Sequence, residues 1–174
     1  VLLLAELGLV FYTTARINRL SLSTATTLFI VYAALNGVTM SFIFMAFTTA
    51  TIAKVFFITA ATFGATAVYG YVTKADLSKM GNLFLMALFG LIIATVVNMF
   101  IKSTSLDLVL SYIGVVLFVG LTAWDSQQIK RMLSMQVGLD EGAQKVALIG
   151  ALSLYLDFIN LFLYLLRIFG RNDN

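Results

Sequence analysis

Apolar residues run along this chain in six long blocks separated by short polar connectors. A helix that crosses a bilayer needs about 20 mostly apolar residues. The blocks run from Val1 to Ala15, Leu22 to Ala46, Thr51 to Val72, Met80 to Ile101, Leu108 to Ile129 and Val146 to Phe169. The connectors RINRLS, FTTAT, TKADLSKMG and KSTSLD are brief, and the longest, KRMLSMQVGLDEGAQK, contains no interdomain linker. The pattern predicts an all-α, polytopic membrane bundle forming a single domain over residues 1–174. The first block is short, and VLLLAELGLV opens without a methionine or a charged leader, so the chain reads as a fragment beginning inside a helix rather than at a signal peptide. With no proline, kinks must come from glycine, side-chain back-bonding or π-bulges. No internal repeat emerges, which weighs against an inverted-repeat transporter.

Two charges interrupt the last block, ALSLYLDFINLFLYLLRIFG: Asp157 and Arg167. A charge at the centre of a spanning helix costs roughly 3 kcal/mol on insertion scales, so it usually faces protein and has a partner. Gly150, Ser153, Asp157, Asn160, Tyr164 and Arg167 recur at spacings of three and four and form one stripe, the period of a packed seam. Small and polar residues also hold membrane helices together. Ser153 and Asn160 alone favour that packing role, whereas the ionisable Asp157 favours a functional seam lining a pathway.

A second intramembrane acid, Asp125, precedes Lys130 by five residues in VLFVGLTAWDSQQIKRML. Its bland reading is a helix-terminal carboxylate in water. The last two blocks are antiparallel neighbours, however, so Asp125 and Asp157 can meet if the last helix begins before it enters the membrane, near Gly142. Two carboxylates in one low-dielectric site cannot both ionise cheaply and titrate as a pair. Arg16 and Arg19, at the end of the first block, stand where one could reach that pair, although most such arginines are topology signals. Glu6, in LLLAELGLV, either lines the same pathway or pairs with a residue outside this chain.

Composition agrees with the blocks: 61% of residues are hydrophobic, 11% are charged, and the mean hydropathy is +1.00. Soluble domains carry about 25% charged residues, so the chain is an integral membrane protein. There is no cysteine for a disulfide or thiolate site and no histidine to titrate near neutrality, which leaves proton-linked behaviour to carboxylates. The net charge of +3 is spread over connectors and gives no nucleic-acid footprint. Of eleven cations, Arg16, Arg19, Lys74, Lys79, Lys130, Arg131 and Lys145 fall on one side and Lys54, Lys102, Arg167 and Arg171 on the other. The richer side is expected in the cytoplasm and the C-terminus outside it. In TKADLSKMG, Asp76 or Ser78 offers a helix cap, and Asp140 and Glu141 read as solvated loop. No phosphate loop, zinc spacing or nucleophile elbow is present.

YIGVVLFVGLTAWDSQQIK and ALSLYLDFINLFLYLLRIFG strongly resemble the two C-terminal signatures of the Bax inhibitor-1 family, also called the transmembrane Bax inhibitor motif family, especially its bacterial inner-membrane members. YGYVTKADLSKMG and the N-G-V-T-M stretch at residues 36–40 extend the likeness over nearly the whole chain. The resemblance implies a seven-helix fold around a central C-terminal helix, with the first helix missing here, and a pH-sensitive calcium leak. It places a paired-aspartate sensor on Asp125 and Asp157, a latching arginine near Arg16 or Arg19, and a further acid near Glu6. Calcium would be held weakly and transiently by Asp125 and Asp157, with no tightly bound cofactor. Expected partners are membrane lipid, calcium and protons. Some bacterial members modulate a membrane-bound AAA protease, so an interaction role is the main competitor. Intramembrane aspartyl proteases also pair two aspartates, but Ala123-Trp124-Asp125 and Tyr155-Leu156-Asp157 match neither of their motifs, and no enzyme activity is expected.

Overall fold

The computed structural model describes the backbone of residues 2–136, 138 and 140–173 and the side chains of residues 8–10, 12–136, 138 and 140–171. Among the described residues six helices follow one another: α1 (Leu2–Arg16), α2 (Leu22–Phe44), α3 (Thr49–Val72), α4 (Met80–Ile101), α5 (Thr104–Ser134) and α6 (Glu141–Asp173). Five of them, α2 to α6, are long and apolar enough to cross a membrane; α1 has 15 residues.

Four of the helix starts, those of α2, α3, α5 and α6, carry a side-chain cap. Ser21, Thr48 and Ser103 adopt extended backbone and accept hydrogen bonds from the amides of Thr24, Thr51 and Leu106. The last helix begins at Glu141, where Asp140 Oδ1 accepts from the Ala143 amide at 2.8 Å. Asp140 is therefore a cap and Glu141 is helical, correcting their reading as solvated loop. The start at Glu141 meets the condition that lets Asp125 and Asp157 share a depth. Asp76 and Ser78 do not cap α4, whose N-cap is Lys79 with no side-chain bond. Asp76 instead accepts from the Ser78 amide at 3.0 Å, folding the turn on itself.

Helices α5 and α6 run beyond their apolar blocks at both ends because polar flanks in water can continue a helix that the lipid-crossing part has begun. Their mutual contact is the most extensive in the molecule, and together they form its centre. α6 also packs on α3 and α2, α5 on α3 and α4, and α1 on α2. The core joins Leu161, Phe162 and Leu166 of α6 with Leu117 and Phe118 of α5, Val55 of α3 and Met40 of α2. The C-terminal helix is thus central, but α5 shares that place.

The two cation sets fall on opposite faces. The start of α6 meets the start of α2 through Glu141 and the Leu22 amide, at 3.1 Å, while Arg131 reaches Asp76 at 2.9 Å. This is the basic face. On the opposite face, Arg171 reaches Asp107 and Gly170 lies against Phe47.

Candidate functional site

The polar stripe of α6 faces α5. Gly150 lies against Ile129, Asp157 against Asp125, and Tyr164 stacks on Phe118 with ring centroids 5.8 Å apart. Farther along, Arg167 and Arg171 meet Asp107. This is one continuous antiparallel seam between the helices. Gly114 makes room for the Tyr164 ring, which any added Cβ would meet.

Within the seam, the carboxyl groups of Asp125 and Asp157 lie side by side, close enough for one proton to be shared between them. Asp157 is 5% exposed and Asp125 is half-buried. Asp157 Oδ2 is buried without a donor among the described residues. These observations are compatible: two ionised carboxylates offer only acceptors, and a proton between them would supply the missing donor. Among the described residues no cluster of three or more His, Cys, Asp or Glu side chains could hold a metal, so these two carboxyls could contribute only part of a calcium shell of six to eight oxygens.

Neighbouring residues fix the pair. Immediately after Asp125, Ser126 Oγ donates to the carbonyl of Ala67 in α3 at 2.7 Å. Gln127 donates to the Ala75 carbonyl at 2.8 Å and accepts from the Leu77 amide at 2.9 Å, clasping residues 73–79 to α5. Beside Asp157, the Tyr155 hydroxyl accepts from buried Asn36 Nδ2 of α2 at 2.7 Å, and its ring meets Phe29 and Tyr32. Phe158 packs edge-on against Phe56 and Phe63 of α3. At the level of Asp157, α6 is therefore held by α2, α3 and α5. Nothing in the sequence marks Asn36, Tyr155, Ser126 and Gln127 as anchors of the pair beyond their polarity within apolar helices.

The other candidates are placed differently. Ser153 and Asn160 are half-buried on the seam, and Asn160 Nδ2 donates to the Leu156 carbonyl of its own helix at 2.8 Å. Arg16 and Arg19 are exposed, and Arg16 lies over the Tyr12 ring at 5.6 Å. The structure does not bring either arginine to the aspartates, because α1 packs principally on α2. The Glu6 side chain lies outside the described residues.

The family model described as "Inhibitor of apoptosis-promoting Bax1" matches residues 1–174. The inner membrane protein YbhL of Escherichia coli (strain K12) is 50% identical over 170 residues, covering 97% of this chain and 73% of that protein. An uncharacterized protein of Borreliella burgdorferi is 49% identical over 173 residues, 99% of this chain and 75% of its own length. Another from Rickettsia prowazekii is 48% identical over 170 residues, covering 98% and 72% respectively. On this match, together with its helical architecture, the chain belongs to the Bax inhibitor-1 family of membrane proteins.

Proposed function

We propose that this protein is a pH-sensitive calcium leak pathway of the bacterial inner membrane, gated at Asp125 and Asp157. The supporting observation is their contact inside the α5–α6 seam, with a buried oxygen that lacks a donor among the described residues. Helix rise gives about 27 Å from Asp107 to Asp125, against a hydrocarbon core of about 30 Å. The pair consequently lies toward the basic face, which the positive-inside rule assigns to the cytoplasm, leaving the C-terminus outside.

In this account, a proton shared by the carboxyls sets the charge of the gate. Calcium would bind weakly through them and water, loosely enough to leave again. Ser153 and Asn160 flank the pair on the same seam, Ser153 toward the basic face and Asn160 away from it, where separation of α5 from α6 would open a polar path. Closure would be reinforced by Arg16 or Arg19 moving from its exposed position onto the carboxylates, excluding the cation by charge and bulk; protonation weakens that hold. Arginine suits this role through its planar fork. The test is calcium entry into proteoliposomes containing the protein, compared across pH with empty vesicles. Flux that varies with pH supports the reading, while no flux above empty vesicles at any pH rejects it.

A further inference from the structure

Helices α3 and α4 are consecutive, yet they make at most slight contact with each other. Between them runs an apolar groove of about 450 Å³, walled by Ala65 and Tyr69 of α3 and by Met80 and Phe84 of α4. Gly120 and Ala123 of α5 form its floor. These small floor residues matter: a Cβ at Gly120 would meet Phe84, so glycine lets the wall residue settle while the groove remains open. Its volume falls within the roughly 300–1,000 Å³ typical of ligand pockets. An apolar groove that opens sideways from a membrane helix bundle is filled by hydrocarbon, because nothing in it satisfies water.

The groove ends at residues 73–79 on the basic face, where Leu77 and Met80 contribute to its lining. In sequence Lys74 and Lys79 stand on either side of Leu77, Lys74 lining the adjoining cleft beside Lys130 and Arg131; both are exposed and enter no ion pair among the described residues. Lys79 is also the N-cap of α4 and provides no side-chain cap, leaving the positive end of a 22-residue helix beside the same mouth. Tyr69, 53% exposed, stands on the rim as aromatic residues do at membrane interfaces. Arg131 cannot supply this free charge because it is paired with Asp76.

From this juxtaposition we propose that the α3–α4 groove is a binding site for one anionic glycerophospholipid of the leaflet at the basic face, with an acyl chain in the groove and its phosphate at Lys74 and Lys79. The site is separate from the aspartate pair, and neither Asp125 nor Asp157 lines the groove. Basic pockets between spanning helices bind anionic headgroups through the same combination of features.

Native mass spectrometry of the delipidated full chain provides the test, with phosphatidylglycerol, phosphatidylcholine and glycerol phosphate as separate probes. The expected result is about tenfold tighter retention of phosphatidylglycerol than of phosphatidylcholine, two surface lysines being sufficient for that difference. The Lys74→Gln/Lys79→Gln variant should bind both lipids equally. Ala65→Phe, which adds bulk at an exposed wall position, should lose both while retaining the wild-type helical spectrum. Equal retention of the two lipids by the wild type overturns the proposal. So does wild-type lipid selectivity in the double lysine variant, undiminished retention in Ala65→Phe, or binding of glycerol phosphate as tight as that of the lipid.

Discussion

Arg171 Nη2 meets Asp107 Oδ2 at 2.6 Å, joining the last turn of α6 to the first turn of α5. Arg167 approaches the other oxygen of the same carboxylate at 3.8 Å. The seam therefore treats its carboxylates in opposite ways: Asp107 has two guanidinium groups, whereas Asp125 and Asp157 have each other. The charges at Asp107 are partly exposed, so their pairing is screened. Asp107→Asn is expected to lower thermal stability by no more than about 1 kcal/mol, with a smaller loss in high salt. On the proposed account of a leak gated elsewhere, at the aspartate pair, calcium flux through this variant should keep the wild-type pH profile. Thermal melts at two salt concentrations and a flux assay check both statements.

Gly70 marks a close approach of α3 to α5, where an added Cβ would run into the Ala123 backbone. Gly90, by contrast, has open space around its Cβ position. Gly70→Ala should destabilise the fold by about 1–3 kcal/mol because a backbone must move. Gly90→Ala should be neutral or stabilising, since alanine is the better helix former. Melting curves of the two variants in the same detergent measure the contrast.

Asp76 lies outside the spanning helices, and its carboxyl is held well below its ordinary 3.8, at about 2, first by the Ser78 amide and then by the Arg131 guanidinium. A carboxyl depressed in the folded state contributes stability above its unfolded pKa and loses it as pH falls through the folded value. The contribution should therefore be intact above about pH 4 and disappear toward pH 2. Asp76→Asn should remove this dependence, making its acid melting profile flatter than that of the wild type. Hydrogen exchange at the Ser78 amide should rise in the same variant at neutral pH.

The six apolar blocks made the helices legible, and Met80–Ile101 matches its block end to end. Helix ends in water were harder to read: α5 extends from Thr104 to Ser134 because Ser103 caps it and polar residues continue the helix. Asp157 was visible as a charge within an apolar run, and the three-four spacing identified the stripe facing α5. Hydropathy does not specify which neighbour meets each residue. Asn36 with Tyr155 and Ser126 with Ala67 depend on contacts separated by 119 and 59 positions. Arg16 illustrates the limit from the other direction, since the correct end of a helix did not place it beside the pair.

The exposed positions of Arg16 and Arg19 give the latch a clear test, because neither contributes to the packed core. Replacing the latching residue with alanine should raise basal calcium leak and flatten its response to pH, and lysine should restore closure only in part because it lacks the planar fork. Separate Arg16→Ala and Arg19→Ala variants identify which residue acts. Unchanged leak in both would remove the latch from the account.

The central claim is that Asp125 and Asp157 titrate as a pair. Asp125→Asn and Asp157→Asn preserve shape while removing one titratable group each, so either change should abolish the coupling that the two carboxyls create together. The most direct measurement is calcium flux against pH in proteoliposomes for the wild type, both single variants and the double variant, with insertion verified for each. The account predicts that both single variants lose the wild-type pH response, and that the double variant loses no more than either one alone. A wild-type pH profile in either single variant, or partial losses that add in the double variant, would contradict it.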